Sequence, residues 1–192
     1  LFKLVIRRWL KQAGASSVPA HSFASFQQQV QYASSDSQVA VRWDGWLLHL
    51  YKRQLWLQKD MTISSCPSMT WSPEQTIIEL GADIGQIELQ QKINNAVTPT
   101  EILKIGSRSS FSDTGIKLWS QHRSVKNLFQ EASIPPWLRD CVPICQLNGE
   151  LVALGDWCIS KAFAALLSEN KASLKWSPGH PLLRFIHAQQ HQ

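Results

Sequence analysis

No apolar run in the chain approaches the roughly 18–20 residues that a membrane span needs, so a transmembrane helix is not expected. There is no Gly-x-Ser-x-Gly elbow, no His-Glu-x-x-His pair and no Gly-Lys-Ser/Thr phosphate loop. The carboxylates form no paired cluster, and no nucleophile stands with a base and an orienting group. No catalytic residue is therefore expected. Charged residues make up 17%, too few for a disordered polyelectrolyte. Cysteine is scarce, with Cys66, Cys141, Cys145 and Cys158 making up the 4. Three residues separate Cys141 from Cys145, not the two of a zinc knuckle or redox pair, and no His follows at finger spacing. Four reduced thiols serving as small apolar residues in a cytoplasmic protein is the expectation, with no metal site. Leu1–Leu10 lacks a small-residue cleavage site behind it and does not read as a signal peptide. A chain that starts at Leu1, already in a helical pattern, reads as a piece cut from a longer one.

What is present is enough for folded cores. The 192 residues are 44% hydrophobic and allow one large domain or two small ones. A net charge of +5 permits an acidic partner without naming it. Trp is abundant, at 9, and serves cores, interfaces and base stacking alike.

Leu1, Leu4, Val5, Trp9 and Leu10 recur near helical spacing, with Lys3, Arg7, Arg8 and Lys11 largely on other faces. Gly14 is a natural stop, and Pro19 suits a second helix start. Phe23, Phe26, Val30 and Ala33 form that second helix's apolar stripe, and residues 34–37 break it. Val39, Val41 and Trp43 alternate with Ala40 and Arg42, then Asp44-Gly45 supplies a hairpin turn in which both residues need positive φ. Residues 46–51 and 54–57 extend this into a meander around Lys52-Arg53. Residues 59–72 read as a polar connection, and residues 76–80, 86–90 and 102–105 as short β-like runs.

Further on, residues 116–119 read as a strand and 124–131 as a helix, ended by Pro135-Pro136. A hairpin follows around Asn148-Gly149, then a helix over 160–167 and a strand over 174–176. The expected class is α+β: a small two-helix plus β-meander domain followed by a mixed α+β C-terminal domain. The boundaries are 1–62, a connection or first strands over 63–100, 101–176, and a flexible tail over 177–192.

Two basic groupings stand out. Arg42, His49, Lys52 and Arg53 cluster around the first hairpin, interleaved with Trp43, Trp46, Tyr51 and Trp56, a mixture compatible with single-stranded RNA and equally with a core. His49 and His122, among basic residues, fit solvated or phosphate-contacting roles better than general-base work. His122, Arg123 and Lys126 open the later helix, where Arg123 and Lys126 can share a face, and Arg139 follows the Pro-Pro-Trp corner. A helix start flanked by Arg and Lys suits phosphate oxygens, and a solvated face explains the same spacing. Gly106–Asp113 loosely resembles a pyrophosphate loop but lacks the paired glycines that let backbone N–H groups close on phosphate.

The run Arg123-Ser124-Val125-Lys126-Asn127-Leu128-Phe129-Gln130-Glu131 through Pro135-Pro136-Trp137-Leu138-Arg139-Asp140, with Pro143 and Gly149-Glu150-Leu151-Val152-Ala153, resembles the C-terminal domain of tRNA(Ile)-lysidine synthases. Ile6-Arg7-Arg8-Trp9-Leu10 resembles the helix after that family's catalytic domain. Asp36, Val41-Arg42-Trp43-Asp44-Gly45-Trp46 and residues 51–57 resemble its substrate-recognition domain.

The resemblance implies a parent enzyme that uses ATP, Mg and lysine to convert the wobble cytidine of a CAU-anticodon tRNA(Ile) to lysidine. The adenylation loop belongs to an N-terminal catalytic domain, so no cofactor is expected in this chain. The implied partners are that tRNA and that catalytic domain, with no membrane and with homodimerisation left open. Lys126, Arg139 and Arg123 carry over as RNA-contacting positions. Arg108 stands nearest the Arg of the family's Arg-x-Gly-Gly-Glu segment, which here is Ser107-Arg108-Ser109-Ser110. His49 stands where the family commonly has Arg. A protein-interaction module with Trp clusters as its contact surface is the alternative.

Overall fold

The structure, a computed structural model, describes residues 2–34, 38–71, 75–91, 103–111, 116–118 and 121–191. The side chains of residues 2, 91, 116–118, 121 and 122 lie outside that description. The chain divides into two compact units, Leu1–Thr62 and Ile63–Gln192.

The first unit opens with α1 (Phe2–Gln12). Gly14 at φ +75 ends it, the Gly14 N–H donating to the Lys11 carbonyl at 3.1 Å and the Ala15 N–H to Leu10 at 2.9 Å. This paired closure satisfies two carbonyls the helix would leave bare, and it needs a left-handed residue where glycine has no Cβ to clash. Helix α2 (Ala20–Tyr32) starts behind Pro19 and buries Phe23 and Phe26. Strands β1 (Val39–Trp43), β2 (Trp46–Tyr51) and β3 (Gln54–Lys59) form an antiparallel meander. Its register opposes Val39 to Leu50, Val41 to Leu48 and Leu48 to Leu57. Strand side chains alternate between faces, so Val39, Val41, Trp43, Leu48, Leu50, Leu55 and Leu57 share one face. That face packs in one core with Ile6, Leu10, Val18, Phe23 and Phe26. Trp43 Nε1 donates to the Ser16 carbonyl at 2.9 Å, tying the sheet to the loop between the helices.

Among the described residues the second unit contains ten β-strands, three more than its sequence signals indicate. A five-stranded antiparallel sheet runs in the order β12 (Cys158–Ile159), β11 (Glu150–Leu154), β10 (Ile144–Leu147), β7 (Leu103–Gly106), β4 (Met69–Trp71). A three-stranded sheet has β6 (Gln86–Gln91) between β5 (Ile77–Glu79) and β13 (Ala172–Ser177). Strands β8 (Ile116–Leu118) and β9 (Gln121–Arg123) form a separate ribbon. Helices α3 (Val125–Glu131), α4 (Lys161–Glu169) and α5 (Pro181–Gln190), with 3-10 turns at Arg108–Ser110 and Pro136–Cys141, complete it. Trp176 is fully buried, its Nε1 donating to the Ile84 carbonyl at 2.9 Å. Beside it a Cβ on Gly85 would come within 2.0 Å of the Ser177 carbonyl oxygen, so glycine is required for the approach.

Several expectations change. The polar stretch 59–72 contains β4, held because Trp71 is buried with its Nε1 donating to Gln75 at 2.7 Å. The stretch 177–192, expected as a flexible tail, contains α5. His180 Nδ1 accepts the Leu182 N–H at 3.2 Å, Pro181 takes the first turn, and Leu183 and Ile186 are buried. Two apolar residues at i and i+3 suffice to hold a helix whose remaining composition looks like solvent-exposed coil. The expected break at 35–37, the polar run over 92–100, and Ile102 and Trp119 lie outside the described residues.

All four cysteines are free and buried. Burial pushes the Cys66 and Cys141 thiols up to about 12 and Cys158 to about 11, and raises Cys145 further still. Protonated at neutral pH, they behave as small apolar groups.

Candidate nucleic-acid interface

In the first unit the β2–β3 connection places cations at a hairpin tip. Tyr51 pairs with Gln54, leaving Lys52 and Arg53 as a two-residue turn. Their φ angles are 46 and 62. Such a turn needs positive φ at both positions, which Asn-Gly and Asp-Gly provide with little strain. At two other tight hairpins the same chain uses Asp44-Gly45 (φ 40 and 71) and Asn148-Gly149 (φ 51 and 84). Lys-Arg instead accepts an unfavourable backbone and presents two positive side chains. Non-glycine residues held at such angles gather at functional sites. Arg53 is exposed, and Lys52 is half-buried with its Nζ 5.9 Å from the Tyr51 ring centre.

Arg42 projects from β1 with 68% of its side chain exposed, its Nε 2.9 Å from Asp60 Oδ2. An exposed pair of this kind contributes about 0–1 kcal/mol, so a phosphate can compete for Arg42. Lys59 lies over Trp46, Nζ 3.7 Å from the ring centre. His49 differs from a solvated or phosphate-contacting residue. Burial first, then the Arg42 charge, lowers its pKa to about 4. It is neutral at pH 7 and adds no positive charge to the hairpin. Helix α1 adds a group passed over in sequence as merely facing outward. Lys3, Arg7 and Lys11 are exposed, and their i, i+4 spacing stacks them into one stripe with Arg8 alongside.

In the second unit the candidates separate. Lys126 is exposed in the first turn of α3. Arg123 lies in β9, not on the helix, so it does not share a helical face with Lys126. It is half-exposed and ion-paired to Glu131. The cap of α3 is occupied by Ser124, whose Oγ accepts the Asn127 N–H at 3.3 Å. His122 lies in β9, and its side chain is outside the described residues. Arg139 is turned inward, only 9% exposed, with Nε donating to the Ile134 carbonyl at 3.1 Å and its guanidinium 6.0 Å from the Phe129 ring centre. Its planar fork braces the Pro-Pro-Trp corner.

Arg108, half-buried, starts a 3-10 turn. The Ser107 N–H donates to Ser110 Oγ at 3.2 Å, and the buried Ser107 hydroxyl lies 2.8 Å from Ser109 Oγ. The described part of this segment satisfies its own polar groups. A Cβ on Gly106 would stand only 2.8 Å from Ser110 Cβ, so the turn packs closely against the end of β7.

Two family models match the chain in order. Residues 1–56 match the TilS substrate binding domain and residues 111–176 the TilS substrate C-terminal domain. Among curated relatives, the chain is 27% identical over 175 residues to the tRNA(Ile)-lysidine synthase of Salmonella schwarzengrund (strain CVM19633), covering 90% of this chain and 40% of that one. It is 25% identical to the tRNA(Ile)-lysidine synthase of Shigella flexneri and 23% identical to that of Xanthomonas axonopodis pv. citri (strain 306), covering 40% and 38% of their lengths. The chain carries the two substrate-side domains of one family, and it belongs to the tRNA(Ile)-lysidine synthases. It spans about 40% of the length of the curated relatives it matches. No helix among the described residues is long and apolar enough to cross a membrane.

Proposed function

We propose that this chain is the tRNA-holding portion of a tRNA(Ile)-lysidine synthase of the cytoplasm. The whole enzyme would attach lysine to the wobble cytidine of CAU-anticodon tRNA(Ile), using ATP and Mg in a separate N-terminal catalytic domain. This portion would grip the tRNA body and acceptor stem. The observation that carries the reading is the match of both units, in order, to the substrate-side domains of that family. The chemistry is consistent with it. Telling one tRNA from a near twin requires contacts far from the modified base, and phosphate contacts set register. The α1 stripe, Arg42 and the Lys52-Arg53 tip would supply those contacts in the first unit, and Lys126 with the partly neutralised Arg123 in the second. Arg108 and His122 stand as secondary candidates. Arg139 acts as a positioning residue that holds the corner behind α3.

Titration of the chain with tRNA(Ile) transcript over a range of salt tests this. Each phosphate contact gives a slope of about −0.9 in log K against log salt for duplex-like sites. Tight binding at low salt with a steep negative slope supports the reading. A flat slope, or no binding at low salt, overturns it.

A further inference from the structure

Asp156 lies between β11 and β12, and His187 and His191 lie one turn apart at the C-terminal end of α5. Their ligating atoms close a triangle. Asp156 Oδ1 is 2.9 Å from His187 Nε2 and 3.1 Å from His191 Nε2, and the two nitrogens are 3.2 Å apart. We propose that these residues form a binding site for a divalent transition metal of the zinc class, with a fourth coordination position open.

The dimensions carry the proposal. Zinc binds imidazole nitrogen and carboxylate oxygen at about 2.0–2.2 Å in tetrahedral geometry, so neighbouring ligand atoms stand about 3.3 Å apart. All three edges here are near that value. The circle through the three atoms has a radius of about 1.8 Å, so an ion at bonding distance sits about 1 Å off their plane and faces a fourth ligand such as water. A chain of ordinary hydrogen bonds needs two of these edges. The third, together with two imidazole nitrogens facing each other, is better satisfied by one cation than by protons.

The surroundings fit as well. The second carboxylate oxygen, Oδ2, accepts the Trp176 N–H at 3.1 Å and lies 3.1 Å from His187 Nε2, so Asp156 is held with both oxygens near His187 and Oδ1 also near His191. Outer partners of this kind hold metal ligands in place. The ring centres of Trp176 and Trp157 stand 5.5 Å and 6.5 Å from that of His187 in edge-on arrangements, walling one side. The Asp156 side chain is 7% exposed and His191 44%, which gives the ion a solvent-facing route in. An ion here would clasp the end of α5 to the β11–β12 connection. The same end of α5 is anchored by Gln190 Nε2, donating to the Ala132 carbonyl at 3.0 Å.

The test uses the full chain, stripped with chelator and titrated with Zn2+ by calorimetry and with Co2+ by visible absorption. One Zn2+ per chain, the intense visible bands of tetrahedral Co2+, and a melting temperature that climbs with free Zn2+ are expected. His191→Gln, at an exposed position that folding tolerates, should weaken binding by more than about 100-fold, beyond the 10–100-fold typical of losing an outer partner. His187→Gln should do the same, while the control His21→Gln leaves affinity unchanged. No binding, binding indifferent to both variants, octahedral Co2+ spectra, or a thiolate charge-transfer band would each overturn the proposal.

Discussion

Arg53 offers a perturbation in which backbone and charge pull in opposite directions. It sits at the second position of the β2–β3 turn with φ 62 and is exposed. A left-handed backbone costs an L-residue about 1–2 kcal/mol, and glycine escapes that cost. Glycine loses more entropy on folding, about 0.5–1 kcal/mol relative to alanine. The net effect of Arg53→Gly is a gain of about 0.5–1 kcal/mol. In a domain of roughly 60–100 residues, 1 kcal/mol shifts Tm by about 4–8 °C. The first unit spans Leu1–Thr62, so its transition should rise by about 2–8 °C. Under the proposed tRNA-holding role, the same change removes one phosphate contact. At 0.1 M salt that weakens tRNA binding by about eightfold and flattens the log–log slope by about 0.9. Arg53→Lys keeps both charge and backbone and should leave stability and slope near wild type. Calorimetry of unfolding and filter binding at several KCl concentrations read the two effects. A variant that is more stable but binds tRNA with unchanged slope refutes the assignment of the tip to RNA. A variant that is less stable refutes the strain reasoning.

Three further outcomes follow from the same structure. Arg139→Ala should destabilise the second unit by about 2–3 kcal/mol in urea unfolding, because a buried carbonyl loses a charged partner and packing is lost with it. Arg139→Lys should recover only part, since an ammonium cannot reproduce the guanidinium fork. Lys126→Ala, on an exposed helix face, should change stability by no more than about 0.5 kcal/mol while flattening the tRNA salt slope by about 0.9. His49 has a folded pKa of about 4, below its ordinary 6.5, so between these values the unfolded chain binds more protons. Its contribution to stability is full above pH 6.5 and lost as pH falls toward 4, and His49→Gln should flatten the stability–pH curve across that window. An unchanged curve would show that His49 is not held neutral by the fold.

Much of the first unit was legible because its signals are local. Alternation over Val39–Trp43, Asp44-Gly45 at a turn needing positive φ, and Gly14 past a helix end each operate within a few residues. The Arg123–Asp140 signature was legible as a family likeness, but the reading that Arg123 and Lys126 share a helix face was not correct. Only the backbone shows that Arg123 ends a strand, and only packing shows Arg139 turned inward beneath Phe129. Strand β4 escaped notice because three residues in a polar stretch have too little periodicity, and its register opposite Leu103–Ile105 depends on a partner far along the chain.

The widest gap is at α5. By sequence alone, the Gln- and His-rich end was solvent-exposed coil, although His187 and His191 already stood at helical spacing. The amino-acid sequence by itself determined the two-part organisation, the hairpin turns and the family, since each rests on short-range pattern or contiguous motif. Which cations are free to meet a phosphate and which are engaged within the protein depended on tertiary structure. So did the meeting of Asp156 with two histidines more than thirty residues away, because side chains distant in sequence approach only when buried surfaces such as Trp176, Leu183 and Ile186 bring their elements together.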